Sequence, residues 1–111
     1  RVISSHPALA PAFTERALHG RRIHESVLAR GVKVSGCTIF FVDQSHARGP
    51  VILQRAVPVS VDDTVEHLER RILQEERLAL REALQLLAED RIRVDGRRVR
   101  TLPSAKNALP A

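Results

Sequence analysis

The 111-residue chain contains no Met, no Trp and no Tyr, and only three Phe (Phe13, Phe40 and Phe41), so any core must be aliphatic. Cysteine occurs once, at Cys37, which excludes an internal disulfide and a cysteine-built zinc site. No apolar run approaches the ~20 residues that a bilayer span needs. No basic segment followed by an apolar stretch opens the chain, so no signal peptide is expected. Lysine is nearly absent: of 18 basic residues only Lys33 and Lys106 are not Arg. A chain that starts at Arg1 and holds no Met is expected to be a fragment, a processed product or an incomplete reading frame.

What is present is ordinary for one globular domain: 43% hydrophobic and 28% charged residues. The net charge of +5 is unevenly placed. Residues 1–55 carry eight Arg or Lys against Glu15, Glu25 and Asp43, whereas residues 56–111 carry ten of each sign. A basic half-domain can steer an anionic ligand, but the pattern reads first as arginine scattered over a solvated surface. Arg21-Arg22 is too short for a nucleic-acid patch, and no aromatic ladder lies beside it.

The local pattern predicts alternating strands and helices. Residues 2–5 read as a short strand, followed by a rigid loop, because Pro7 and Pro11 suit neither a helix interior nor a central strand. A helix is expected over 20–30, with Ile23, Val27 and Leu28 inward and Gly31 closing it. Residues 37–42 (Cys-Thr-Ile-Phe-Phe-Val) have the composition of a buried strand. Residues 51–59 are expected to form a second, with Ile52, Gln54, Ala56 and Pro58 on one side and Val51, Leu53, Arg55, Val57 and Val59 on the other. The polar link between them is too short for a crossover, so the pair should be antiparallel. Asp63 with Glu66 suggests a capping box for a long helix over 63–88, whose stripe is Val65, Leu68, Ile72, Ala79, Ala83 and Leu86 or Leu87. Asp95-Gly96 marks a hairpin turn between 92–94 and 98–100.

Several segments in order carry a resemblance. They are His6-Pro7-Ala8-Leu9-Ala10-Pro11, then Gly31-Val32-Lys33-Val34-Ser35-Gly36-Cys37-Thr38, then Phe41-Val42-Asp43 and Gly49-Pro50-Val51-Ile52-Leu53-Gln54. Leu86-Leu87-Ala88-Glu89, Arg91 and Gly96-Arg97-Arg98-Val99 close the set. Together they resemble the glycinamide ribonucleotide (phosphoribosylglycinamide) formyltransferase family over residues 1–100, with 101–111 expected to be a frayed tail. The resemblance implies an α/β fold. It further implies that the chain corresponds to the carboxy-terminal half of a formyltransferase-like, Rossmann-type domain, a mixed sheet with an antiparallel strand pair and a long helix. The Gly-rich phosphate loop of the family's other half has no counterpart here.

The same resemblance implies formyl transfer from 10-formyltetrahydrofolate to the amine of glycinamide ribonucleotide, in purine synthesis, without a metal. Such chemistry needs a donor for the developing oxyanion and an acid/base group near neutrality. Residue by residue, His6 matches the family's catalytic His, Ser4 stands at its Asn and Ala47 at its Asp. Glu76 and Pro7 fall at substrate-binding positions, and Val42, Asp43, His46 and Ala47 at the folate-binding segment. Asp90 replaces the Gly that ends the long helix, at a cost of ~1 kcal/mol.

Three readings follow. One is an enzyme by descent, inactive as this chain alone because an oxyanion donor, a carboxylate and the phosphate-binding half are missing. Another is a non-catalytic relative that keeps a folate pocket or serves as a partner subunit, which calorimetry with a reduced folate would distinguish. The third is a basic nucleic-acid-binding module, whose affinity would fall steeply with salt. Self-association, or a partner supplying the other strands, is expected under all three, and the lone thiol with the absent signal points to the cytoplasm.

Overall fold

A computed structural model describes residues 2–15, 18–42 and 48–104. Its elements are β1 (Val2–His6), α1 (Arg21–Arg30), β2 (Val34–Val42), β3 (Val51–Pro58), α2 (Val65–Ala88), β4 (Ile92–Asp95) and β5 (Arg98–Thr101). The first three strands form one sheet in the order β1-β2-β3, and β4 and β5 form a separate hairpin. Both pairings in the larger sheet are antiparallel, and for β2–β3 the short link requires it.

Register decides which side chains share a face. Ser4 lies opposite Phe40 and His6 opposite Thr38, while Ser5 lies opposite Ile39. One face of the sheet therefore carries Ser4, His6, Thr38, Phe40 and Gln54. The other carries Ser5, Cys37, Ile39 and Arg55. The helix α2 covers the second face and joins Leu68, Ile72, Ala79 and Ala83 to Cys37, Ile39 and Phe41. These are the stripe positions expected from the 3.6-residue period, and the core is aliphatic apart from Phe40 and Phe41. The other face is covered by the chain that follows His6.

The structure corrects four local expectations. A bulge at Ile39/Phe40 places Val51, not Ile52, opposite Phe40. Ile52 then enters the core, so the alternation expected for 51–59 is broken at its first two residues. The N-cap of α2 is Thr64, whose hydroxyl accepts from the His67 N–H at 3.1 Å. Asp63 has another task. Its carboxylate accepts from the Ser60 N–H at 2.8 Å and from both Arg71 terminal nitrogens at 2.9 and 2.8 Å. The hairpin turns one residue later than expected, at Gly96-Arg97, because Asp95 still pairs with Arg98. Gly96 has φ 61 at the first central position, the hallmark of a type II′ turn. Finally, α1 starts at Arg21, and buries His24 beside Ile23 and Val27.

The end of α2 and a glycine inside β2 each have a local cause. Asp90 has φ 52, and the Asp90 and Arg91 N–H groups bond the Leu87 and Leu86 carbonyls at 3.1 and 2.9 Å. That is a Schellman closure with a non-glycine at the left-handed position. Gly36 is required by closeness: a Cβ there would lie 2.0 Å from the Arg55 carbonyl oxygen.

Candidate active site

β1 is an edge strand, and His6 is its last residue. The imidazole is buried, and Nε2 lies 2.9 Å from the Phe13 carbonyl oxygen. A carbonyl only accepts, so Nε2 carries the proton and Nδ1 holds the lone pair in the neutral ring. Burial lowers the pKa below 6.5, the Phe13 carbonyl pulls it back, and the Arg48 charge lowers it further. His6 is thus neutral at pH 7.

The segment after His6 is held against the sheet by two side chains. The Thr38 hydroxyl donates to the Ala8 carbonyl at 2.8 Å and accepts from the Ala10 N–H at 3.0 Å. Gln54 Nε2 donates to the Ala10 carbonyl and to Thr38 Oγ1, both at 3.0 Å. This lattice brings Phe13 back to His6. Phe13 has φ 55, a conformation that costs a bulky residue on the order of 1–3 kcal/mol. The Arg30 guanidinium lies 5.3 Å from the centre of its ring. Arg48 donates to the neighbouring Thr14 carbonyl at 2.7 Å.

Ser4 shares the His6 face, two residues along the strand and so about 7 Å away. Pro7 follows His6 directly and is half-buried. Glu76 is reached from the opposite face: the Ser5 hydroxyl donates to its Oε2 at 2.9 Å. Burial raises the Glu76 pKa above 4.5, and the Ser5 hydrogen bond partly offsets that rise. The structure therefore places His6 with Ser4 on one side of β1 and Glu76 on the other. Val42 ends β2 opposite Val2. Asp43, His46 and Ala47 lie outside the described residues.

Sequence reasoning missed Ser5, Thr38, Gln54 and Arg48 as parts of this site. Thr38 and Gln54 stand in the quoted segments, but only the register shows that they clamp the loop. Among the described residues no group of three or more His, Cys, Asp or Glu is placed to hold a metal ion. Among them, too, no helix is long and apolar enough to cross a membrane.

Residues 1–84 match the family model described as Formyl transferase, and the chain belongs to that family. Its relatives include the chloroplastic phosphoribosylglycinamide formyltransferase of Vigna unguiculata, 41% identical over 97 residues. That match covers 86% of this chain and 31% of the relative. Among solved structures, glycinamide ribonucleotide transformylase 1 from Symbiobacterium toebii superimposes with a TM-score of 0.81 at 48% identity, covering 93% of this chain and 46% of that one. A formyltetrahydrofolate deformylase from Pseudomonas syringae pv. tomato gives a TM-score of 0.81 at 28% identity, covering 91% of this chain and 32% of that one. The chain thus spans about a third of the plant relative's length and just under half of the Symbiobacterium chain. The α/β fold with antiparallel strands and a long helix is that of these neighbours.

Proposed function

We propose that this chain supplies the histidine-bearing half of a formyl-transfer site that uses 10-formyltetrahydrofolate and glycinamide ribonucleotide, and that it does not turn over substrate alone. The observation that carries the reading is His6, a buried neutral imidazole held in one tautomer by Phe13. A neutral imidazole can accept a proton from the attacking amine at Nδ1 and return one to the folate nitrogen. Ser4, on the same face, stands where a donor to the formyl oxygen is needed. Glu76, which meets β1 from the other side through Ser5, is assigned to the glycinamide substrate together with Pro7. Val42, Asp43, His46 and Ala47 are assigned to the folate. The names of the relatives support this substrate pair, and the deformylase neighbour supports a formylated reduced folate.

The same residues argue for low activity. Loss of one oxyanion donor costs ~10²–10³ in rate, and Ala47 offers no charge to steady an imidazolium. Purified chain should give no formyl transfer above the uncatalysed rate; clear turnover would refute this. Adding the remaining half of a formyltransferase domain, with Ser4→Asn and Ala47→Asp, should restore turnover. A second reading, a non-catalytic folate-binding or partner subunit, draws on the same two replacements set in a retained scaffold. Under it, a reduced folate binds with measurable heat while the restored variants stay inactive.

The residues 1–100 are taken as one half-domain. β1 sits at the edge of its sheet, so self-association, or a chain that adds strands beside β1, completes the proposal. A monodisperse monomer by light scattering at high concentration would contradict it. The lone buried thiol, which needs no oxidising compartment, supports a cytoplasmic site of action.

A further inference from the structure

On the His6 face of the sheet lies a cavity of about 420 Å³. Pro11, Phe40 and Val51 give it apolar walls, Thr14 adds a hydroxyl, and Arg48 and Arg97 bring two guanidinium groups. No acid lines it among the described residues. Among the described residues, main-chain carbonyls hold both arginines. Arg21, Arg55, Arg71, Arg91 and Arg93 each pair with a carboxylate. Arg48 instead donates to the Thr14 carbonyl, and Arg97 to the Arg48 and Gly49 carbonyls at 3.2 and 3.4 Å. Backbone carbonyls fix the direction of a guanidinium without neutralising it. Two such groups beside an apolar wall suit a ligand with a negative end and a flat apolar body.

We propose that this cavity is a binding site for a small organic anion, a carboxylate on an apolar body, held by Arg48 and Arg97 with the body against Phe40, Pro11 and Val51. The cavity adjoins the His6 site and shares Thr38 and Arg48 with it, but the proposal does not rest on formyl transfer. The cavity does communicate with His6. Phe13 and Thr14 are consecutive, and their carbonyls hold His6 and Arg48 respectively. The Arg48 charge also opposes protonation of His6. An anion on Arg48 cancels that opposition, so occupancy should make His6 easier to protonate.

The probe is benzoate, titrated into the full 111-residue chain and followed by amide and imidazole NMR. Shifts should concentrate at Thr14, Phe40, Gly49 and Val51, and the His6 titration should move upward. Benzyl alcohol, which keeps the ring and lacks the charge, should bind at least about tenfold more weakly, and so should acetate, which lacks the ring. Arg48→Gln and Arg97→Gln should each weaken benzoate by about tenfold. Equal binding of benzyl alcohol, unchanged affinity in both variants, or shifts confined to other residues would overturn the proposal. Displacement of benzoate by 5-formyltetrahydrofolate would also overturn it, because the cavity would then belong to the folate site. Binding of the reduced folate without displacement would separate the two sites.

Discussion

Replacing Gly36 by Ala puts one methyl group where the β2–β3 ladder leaves no room. The added carbon would lie 2.0 Å from the Arg55 carbonyl oxygen, 3.0 Å from the carbonyl carbon and 2.8 Å from Leu9 Cδ2. An unstrained carbon–oxygen contact needs about 3.3 Å, so the strands must separate by roughly 1.3 Å. Leu9 can rotate away, but the Arg55 carbonyl is main chain within β3. Separation on that scale removes one or two ladder hydrogen bonds, at about 1 kcal/mol each, and adds overpacking of about 1–3 kcal/mol. The expected loss is about 2–5 kcal/mol, a large share of the 5–15 kcal/mol typical of a domain. Urea unfolding followed by far-UV circular dichroism measures it, because the chain has no Trp or Tyr to report by fluorescence. A slope of about 1–1.5 kcal/mol/M would turn that loss into a midpoint shift of roughly 1.3–5 M. A loss under about 1 kcal/mol would refute the argument. So would recovery on adding Leu9→Ala, since the backbone, not the leucine, is held to be the obstacle.

Asp90→Gly should stabilise the chain by up to about 1 kcal/mol by relieving a left-handed residue, and thermal unfolding should show a midpoint higher by a few degrees. Asp63 is held down at about 2 by the Arg71 hydrogen bonds, with the Ser60 N–H helping. Its pKa is depressed on folding, so its contribution is complete above the unfolded value near 4 and is lost as pH falls towards 2. Unfolding measured from pH 5 to 2 should show that step, and Asp63→Asn should flatten it. Glu76 shifts the opposite way. Folding makes its proton harder to lose, so stability should decline as pH rises past 4.5, and Glu76→Gln should remove the decline. Glu76→Gln unfolding with the same pH slope as the parent would contradict this.

Long repeated patterns survived translation into three dimensions better than local chemistry. The α2 stripe was legible because five buried positions, Leu68 to Leu86, recur at helical spacing over about five turns. The β2–β3 pairing was legible because the link is too short for anything else. The bulge at Ile39/Phe40 was not, since both strands remain apolar through it and composition does not record a change of phase. The Thr64 cap lost to Asp63 on paper because both residue types cap helices; Arg71, eight residues on, decides the matter by taking the carboxylate. At the site, motif matching reached His6, Ser4 and Glu76, but it assigned them no faces. That Ser5 carries the hydrogen bond to Glu76, and that Thr38 and Gln54 tether the loop, depend on register and on a long return of the chain.

Cys37 has a practical consequence for every measurement above. It sits in the middle of β2 with no exposed surface, and burial pushes its thiol up to about 11. At pH 7 roughly one molecule in ten thousand would then carry the reactive thiolate even if a reagent could reach it. The unfolded thiol, near 8.5, ionises hundreds of times more readily. A disulfide reagent such as a dithiobis-nitrobenzoate therefore reacts when the sheet opens and stays idle while it is closed. The chain's single sulfur becomes an optical clock for opening of the strands that carry His6.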